Sequence, residues 1–233
     1  MSRTSIETVT GKILDFAAPT KEMLDVQSIA WGISRQPRFC GQTVGEIQFN
    51  VAQHSLHVAR LISEVMVHGS RLNTLARKLQ ASNKPFVNYL NSRLSLEKDY
   101  RLAITLGLFH DGSEGFLCDL PTPAKRLPGL MEAYAAVETK LMEAVHELIG
   151  ITPEMITPEL LAVVHWADTY ALAIEAYHLV PSRGQGPEWA FLPKPDAIDL
   201  LMMPEPQPAM LSFEEFMEAY EAINSLSSPE NKT

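Results

Sequence analysis

Four polar side chains stand where the helical pattern of this chain calls for core: His54, His110, Asp111 and Asp168. His110-Asp111 closes the apolar run Leu106-Gly107-Leu108-Phe109. A buried carboxylate is unfavourable without a strong partner, and a divalent cation is such a partner. His54 interrupts an apolar face made by Val51, Val58, Leu61, Ile62 and Val65, and Asp168 interrupts one made by Leu161, Val164 and Leu172. Two imidazoles and two carboxylates from three helices make a mixed nitrogen–oxygen site, which suits zinc, manganese, cobalt or iron. Neighbours on a helix point about 100° apart. His110 and Asp111 therefore share one ion only if it sits in the groove between them, near a helix end. Taken singly, His54 reads as a hydrogen-bonded core histidine and Asp168 as a cap or ion-pair member. Four such residues on three core faces call for one cause.

The elements that must position these residues are helices, and alternating strand patterns are scarce. Residues 1–24 are mixed and contain Gly11 and Pro19, which predicts an N-terminal arm or short strand. Asp25 is a candidate N-cap for a helix carrying Val26, Ile29, Ala30 and Ile33, which must stop before Pro37. Asn50 is a candidate cap for the helix of His54. Residues 69–96 are polar, contain Pro85 and read as an insertion. Helix returns near Leu96 and runs into His110-Asp111. A further amphipathic helix spans Leu130 to Leu148 and is stopped by Gly150; the next begins at Pro158 and carries Asp168. A loop rich in proline and glycine covers 181–210, and a last helix follows Ser212. The fold class expected is all-α, a single domain: an arm over 1–24, a core over 25–180, and a loop and helix over 181–233 packing on that core.

Composition removes several function classes. The net charge of −9 argues against duplex nucleic acid as a partner, because that needs a basic surface. No segment approaches the roughly 20 apolar residues of a membrane span, and Met1–Thr8 has no apolar signal core. Cys40 and Cys118 are too few for a disulfide framework or an all-cysteine zinc site. The expectation is a reduced, cytoplasmic protein without a membrane partner.

The order His54, His110-Asp111, Asp168 resembles the H…HD…D signature of the HD-domain metal phosphohydrolases. Val51-Ala52-Gln53-His54-Ser55-Leu56-His57-Val58-Ala59 is similar to the first-ligand helix of their 5′-deoxynucleotidase branch. His110-Asp111-Gly112-Ser113-Glu114, followed by Asp119-Leu120-Pro121-Thr122-Pro123-Ala124-Lys125, is close to the central motif of that branch. Asp168-Thr169-Tyr170-Ala171 fits the fourth ligand. Ser34-Arg35-Gln36-Pro37-Arg38-Phe39-Cys40-Gly41-Gln42-Thr43 is similar to the early arginine motif of bacterial and phage members, among them phage enzymes that hydrolyse deoxyadenosine triphosphate. The resemblance covers roughly residues 25 to 180. The chain departs from the pattern in carrying Phe39 where tryptophan is usual. The spacing from Arg38 to His54 also differs slightly, which leaves Arg35 as the alternative arginine.

The resemblance implies an HD-domain helical bundle in which His54, His110, Asp111 and Asp168 hold a divalent zinc, cobalt, manganese or magnesium ion. Such an ion lowers the pKa of a bound water and polarises a phosphoryl oxygen. Glu114, four residues after His110 and on its face if the helix continues, would hold the attacking water or manage a proton. Arg38 would clamp phosphate, Asp119 would approach the sugar or orient water, and Phe39 would stack on base or sugar. Lys125 is a second phosphate contact, with ordinary solvation as its alternative. His57 and His165 read as supporting or structural residues rather than ligands. The function so implied is hydrolysis of 2′-deoxynucleoside 5′-phosphates, either monophosphates or a triphosphate such as dATP. The rivals are hydrolysis of another phosphorylated small molecule or signalling nucleotide, and a nucleotide-sensing module without catalysis. Family habit implies a homo-oligomer, whereas the amphipathic helices can equally bury their faces within one chain.

Overall fold

The computed structural model describes residues 3–67 and 97–225. The insertion expected over 69–96 lies outside these residues. The chain is all-α, as expected, with one two-stranded hairpin: β1 (Ser5–Glu7) and β2 (Ile13–Asp15) pair antiparallel, Ile6 opposite Leu14. Among the described residues no helix is long and apolar enough to cross a membrane. The chain gathers into two compact units, each discontinuous in sequence. One comprises Met1–His54, Asp111–Met155 and Pro206–Met217; the other comprises Ser55–His110, Ile156–Glu205 and Glu218–Thr233.

In the first unit the hairpin places Leu14, fully buried, in the core. Helix α1 (Val26–Ser34) starts as its sequence dictates: Asp25 Oδ1 accepts from the Ser28 backbone N–H at 2.6 Å, satisfying one of the free donors of the first turn. Its buried face is Ile29, Ala30 and Ile33. Helix α2 (Val51–Val67) is capped in the same way by Asn50, whose Oδ1 accepts from Gln53 N at 3.0 Å. The Asn50 amide also donates to Ser212 Oγ at 2.8 Å, and both residues are buried. Two short helices follow, α4 (Glu114–Leu117) and α5 (Thr122–Lys125), after α3 (Glu97–Phe109) of the other unit. Helix α4 lies against α1 at glycines. A Cβ on Gly32 would stand 2.5 Å from Gly115 Cα and 2.7 Å from its carbonyl carbon.

Helix α6 (Leu130–Leu148) ends where Gly150 predicts. Gly150 takes a φ of 75°, its N–H reaches Glu147 O at 3.2 Å, and Ile151 N reaches His146 O at 2.8 Å. These two bonds form the αL helix stop that glycine favours. Burial lowers the pKa of His146, against the opposing pull of Glu143. The folded state therefore prefers the neutral ring, while the unfolded chain takes up a proton at the ordinary value near 6.5. Stability from this residue is present above that pH and is lost as pH falls towards the lowered folded value. His146→Gln is expected to lose less of its melting temperature than the parent between pH 7.5 and pH 5, by thermal melts in matched buffers (about one unit either side of the imidazole range). Equal losses would assign the acid sensitivity elsewhere.

In the second unit α3 packs against α7 (Pro158–Leu179). Thr157 Oγ1 accepts from Leu160 N at 3.3 Å, and Pro158 occupies the first helical position, where no donor is needed. Helix α7 buries residues all round, from Leu160 and Val163 to Ala173, Ile174 and Glu175. Its middle turns thus belong to the core, while Leu161 and His165 nearer its start stay exposed. Loop 181–208 contains two single 3-10 turns, Pro187–Trp189 and Asp199–Met202. Helix α8 (Ala209–Ser225) contributes to both units. It starts one turn before the Ser212 boundary expected from sequence, because the Pro208 carbonyl already accepts from Leu211 N and Ser212 N.

Candidate metal centre

His54 and Asp111 meet within the first unit. His54 lies in the first turn of α2, fully buried, and its Nε2 is 3.6 Å from Asp111 Oδ2. His110 and Asp168 meet within the second unit, with Nε2 and Oδ1 3.9 Å apart. The peptide bond between His110 and Asp111 joins the two pairs. Ligand atoms of His54, His110 and Asp111 all lie within 4.8 Å of one another, and this group could hold a metal ion. Two ligand atoms bound at about 2.1 Å to one tetrahedral ion stand about 3.4 Å apart. The 3.6 Å and 3.9 Å separations are near that spacing.

The tautomer of His110 also suits a ligand. Its Nδ1 is 2.8 Å from Gly107 O, and a carbonyl can only accept, so Nδ1 carries the proton. In a neutral ring that leaves the buried Nε2 with its lone pair. A carbonyl on the far ring nitrogen is the usual support of a metal-bound histidine. The residues present therefore fit a divalent cation by donor type, spacing and ring tautomer.

Glu114 stands beside this group in the first unit, but not by continuing a helix from His110. The chain turns through 110–113, with Glu114 N donating to Asp111 O at 3.0 Å, and α4 then starts afresh. Glu114 is 4% exposed, and its Oε2 has no hydrogen-bond partner. Burial, then the charges of Asp111 and Asp119, hold its carboxyl well above the usual carboxylate range; Arg38 and Lys125 pull the other way. Arg38 Nη1 is 3.5 Å from Asp119 Oδ2, and Lys125 Nζ is 3.9 Å from Glu114 Oε1 and 3.3 Å from Glu138 Oε1. Lys125 is thus an ion-paired group rather than a merely solvated one. Arg35, the alternative arginine, stacks on Trp31 instead, with Cζ 4.3 Å from the ring centre. Phe39 and Cys40 both adopt positive φ, 53° and 54°, which presents Phe39 beside Arg38 with Cζ 5.7 Å from its ring centre. Side chains with a Cβ hold that conformation only under constraint from their surroundings.

Tyr134 is a neighbour that sequence reasoning passed over. It reads as one more apolar position on α6, yet its hydroxyl donates to Cys118 O at 2.9 Å. Cys118 has a φ of 68°, so this bond anchors the strained turn that leads into Asp119. Burial first, then the charges of Glu114, Glu138, Asp119 and Asp111, keep the Tyr134 hydroxyl protonated far above neutral pH. The Lys125 ammonium sits 4.6 Å from its ring centre. His57 pairs within the second unit instead. Its Nδ1 is 3.3 Å from Glu175 Oε1, and both side chains are fully buried in the second unit. His165 is exposed.

No protein-family profile matches the chain. It is similar to an uncharacterized protein of Rhodobacter capsulatus, 27% identical over 176 residues that cover 76% of this chain and 73% of that protein.

Proposed function

We propose that this protein is a divalent-metal-dependent phosphohydrolase of the HD-domain type, acting on 2′-deoxynucleoside 5′-phosphates. One observation carries the reading. Within a single unit, a His54–Asp111 ligand pair lies in electrostatic reach of a buried carboxyl, Glu114, that is itself flanked by two cations and a further carboxylate. Metal ligands alone suit many tasks. Ligands beside Arg38 and Lys125 suit an anionic, oxygen-rich substrate.

His54, His110, Asp111 and Asp168 would hold the ion, which supplies Lewis-acid polarisation when bound. Arg38 offers a planar guanidinium able to bind two phosphoryl oxygens at once. Its bridge to Asp119 fixes its orientation before substrate arrives. Lys125 adds a point charge on the Glu114 side. Glu114, with a free buried oxygen, can hold a proton at Oε2 and deliver it to a leaving oxygen, or accept one from water. Asp119 approaches the sugar, and Phe39 offers its ring to sugar or base.

The test is release of phosphate or polyphosphate from a panel of deoxynucleoside mono- and triphosphates, after loading with zinc, cobalt, manganese or magnesium. Turnover of a deoxynucleotide that chelator abolishes and one of these ions restores is the expected result. No turnover of any nucleotide with any of the ions would overturn the reading. Preference for guanosine tetraphosphate over every deoxynucleotide would keep the site and replace the substrate.

A further inference from the structure

The second unit contains a cavity of about 710 Å³ between the end of α7 and the loop that follows it. Its walls include Tyr177, Arg183, Trp189, Leu192, Lys194 and Leu200. The volume lies within the range of small-molecule sites, about 300–1,000 Å³. None of its walls belongs to the metal centre. Asp168 and Tyr177 share α7 but are nine residues apart, which is about 13.5 Å along the axis and half a turn round it. The cavity therefore opens on the opposite face of α7 from Asp168.

The chemistry of the walls is unusual for this chain. The protein carries a net charge of −9, yet the cavity is lined by two cations and no acid. Neither Arg183 nor Lys194 forms an ion pair among the described residues. Three acids lie close by in the loop without lining the cavity: Glu188 turns its carboxylate towards Gly186, Asp196 follows Pro195, and Asp199 is engaged, its Oδ2 accepting from Tyr170 Oη at 2.6 Å and from Asp196 N at 3.3 Å. Arg183 is held at a φ of 53°, at the tip of a turn closed by its N–H to Val180 O at 2.9 Å. Its Cζ stands 5.6 Å from the Tyr177 ring centre. A long cationic side chain in the left-handed region is a cost to the fold that glycine would avoid. Two aromatic rings, an apolar floor and two cations outside any ion pair are the complement of a ligand with a flat ring and a phosphate.

We infer that this cavity is a second binding site, separate from the metal centre, for a nucleoside phosphate whose phosphate meets Arg183 and Lys194 and whose base lies on the Tyr177 and Trp189 walls. The inference stands whether or not the metal centre is a phosphohydrolase, and the test keeps the two apart. Adenosine monophosphate is titrated by calorimetry into the full chain carrying Asp111→Asn, with chelator present. Saturable binding with a dissociation constant below about 1 mM is expected. Arg183→Gly should weaken it at least about tenfold, the scale of a charge-assisted hydrogen bond, while the melting temperature holds or rises because glycine suits that φ. Lys194→Ala should weaken it in the same direction. Absence of binding, or binding indifferent to Arg183→Gly and Lys194→Ala, would overturn the site. Adenosine or inorganic phosphate alone binding as tightly as the nucleotide would overturn the ligand class.

Discussion

Gly32→Ala is expected to cost the fold about 3 kcal/mol, the upper end for a side chain forced into a packed interface. At about 2–4 °C per kcal/mol for a chain of this size, the melting temperature should fall by roughly 6–12 °C. The reason is that the added methyl meets the backbone of Gly115. A Cβ at Gly32 would lie 2.5 Å from Gly115 Cα, 2.7 Å from its carbonyl carbon, and closer still to its carbonyl oxygen. No rotamer change relieves a clash with main chain, so α1 and α4 must part. Gly115→Ala is the milder test, since its nearest contacts, Ile29 O at 3.0 Å and Ile33 N at 3.3 Å, need give only slightly. The damage from Gly32→Ala should also reach chemistry, because the residue before Gly115 is Glu114. Urea or thermal unfolding measures the loss; a parent-like melting temperature in Gly32→Ala would show that the two helices do not meet in this way.

On the proposed function, Asp111→Asn is expected to strip the ion and the activity together. The amide keeps the size of the carboxylate but removes its charge, and a neutral oxygen is a poor partner for a divalent cation beside His54 at 3.6 Å. Loss of supporting residues around metal ligands alone costs about 10–100-fold in affinity or activity. Loss of a ligand should exceed that, so turnover should drop at least about 100-fold. Metal content of the purified protein, measured by elemental analysis, should fall with it. Binding of an ion to the folded state raises stability by mass action. Chelator should therefore lower the melting temperature of the parent and leave that of Asp111→Asn unmoved. Parent-like metal content in the variant would remove Asp111 from the ligand set.

What was legible in the sequence is what is local. Asp25 and Asn50 cap their helices because a side-chain oxygen needs to reach only three residues along the chain. Gly150 stops α6 for an equally local reason, a φ that other residues resist. The approach of His54 to Asp111 was legible only because both interrupt apolar faces, so burial exposes their presence as a cost. Pairings across long separations carry no such mark. His57 reads as a supporting residue, but its partner Glu175 lies 118 residues on, within a helix whose sides are nearly all buried. Tyr134 is invisible for the opposite reason, since a tyrosine on an amphipathic helix satisfies the apolar pattern and its hydroxyl adds nothing to it. The surroundings of Arg38 depend on backbone that the sequence does not show: consecutive positive φ angles at Phe39 and Cys40 sit beside it, and no residue type there signals them. The sequence puts Glu114 on the face of His110 only if the helix continues, whereas a tight turn at 110–113 brings it beside Asp111.

The hydrogen bond from Asn50 to Ser212 sets a clock on assembly. The two residues are 162 positions apart in the chain. At about 5–20 residues per second, roughly 8–32 s separate their emergence from the ribosome. Asn50 begins the helix that carries His54, and Asp168 also emerges only after most of that interval. The nascent chain thus presents its first imidazole long before that helix start is locked and before the last carboxylate exists. The buried bond that ties the start of α2 to α8 therefore closes only after residue 212 is made, so that contact belongs to the late, long-range part of folding.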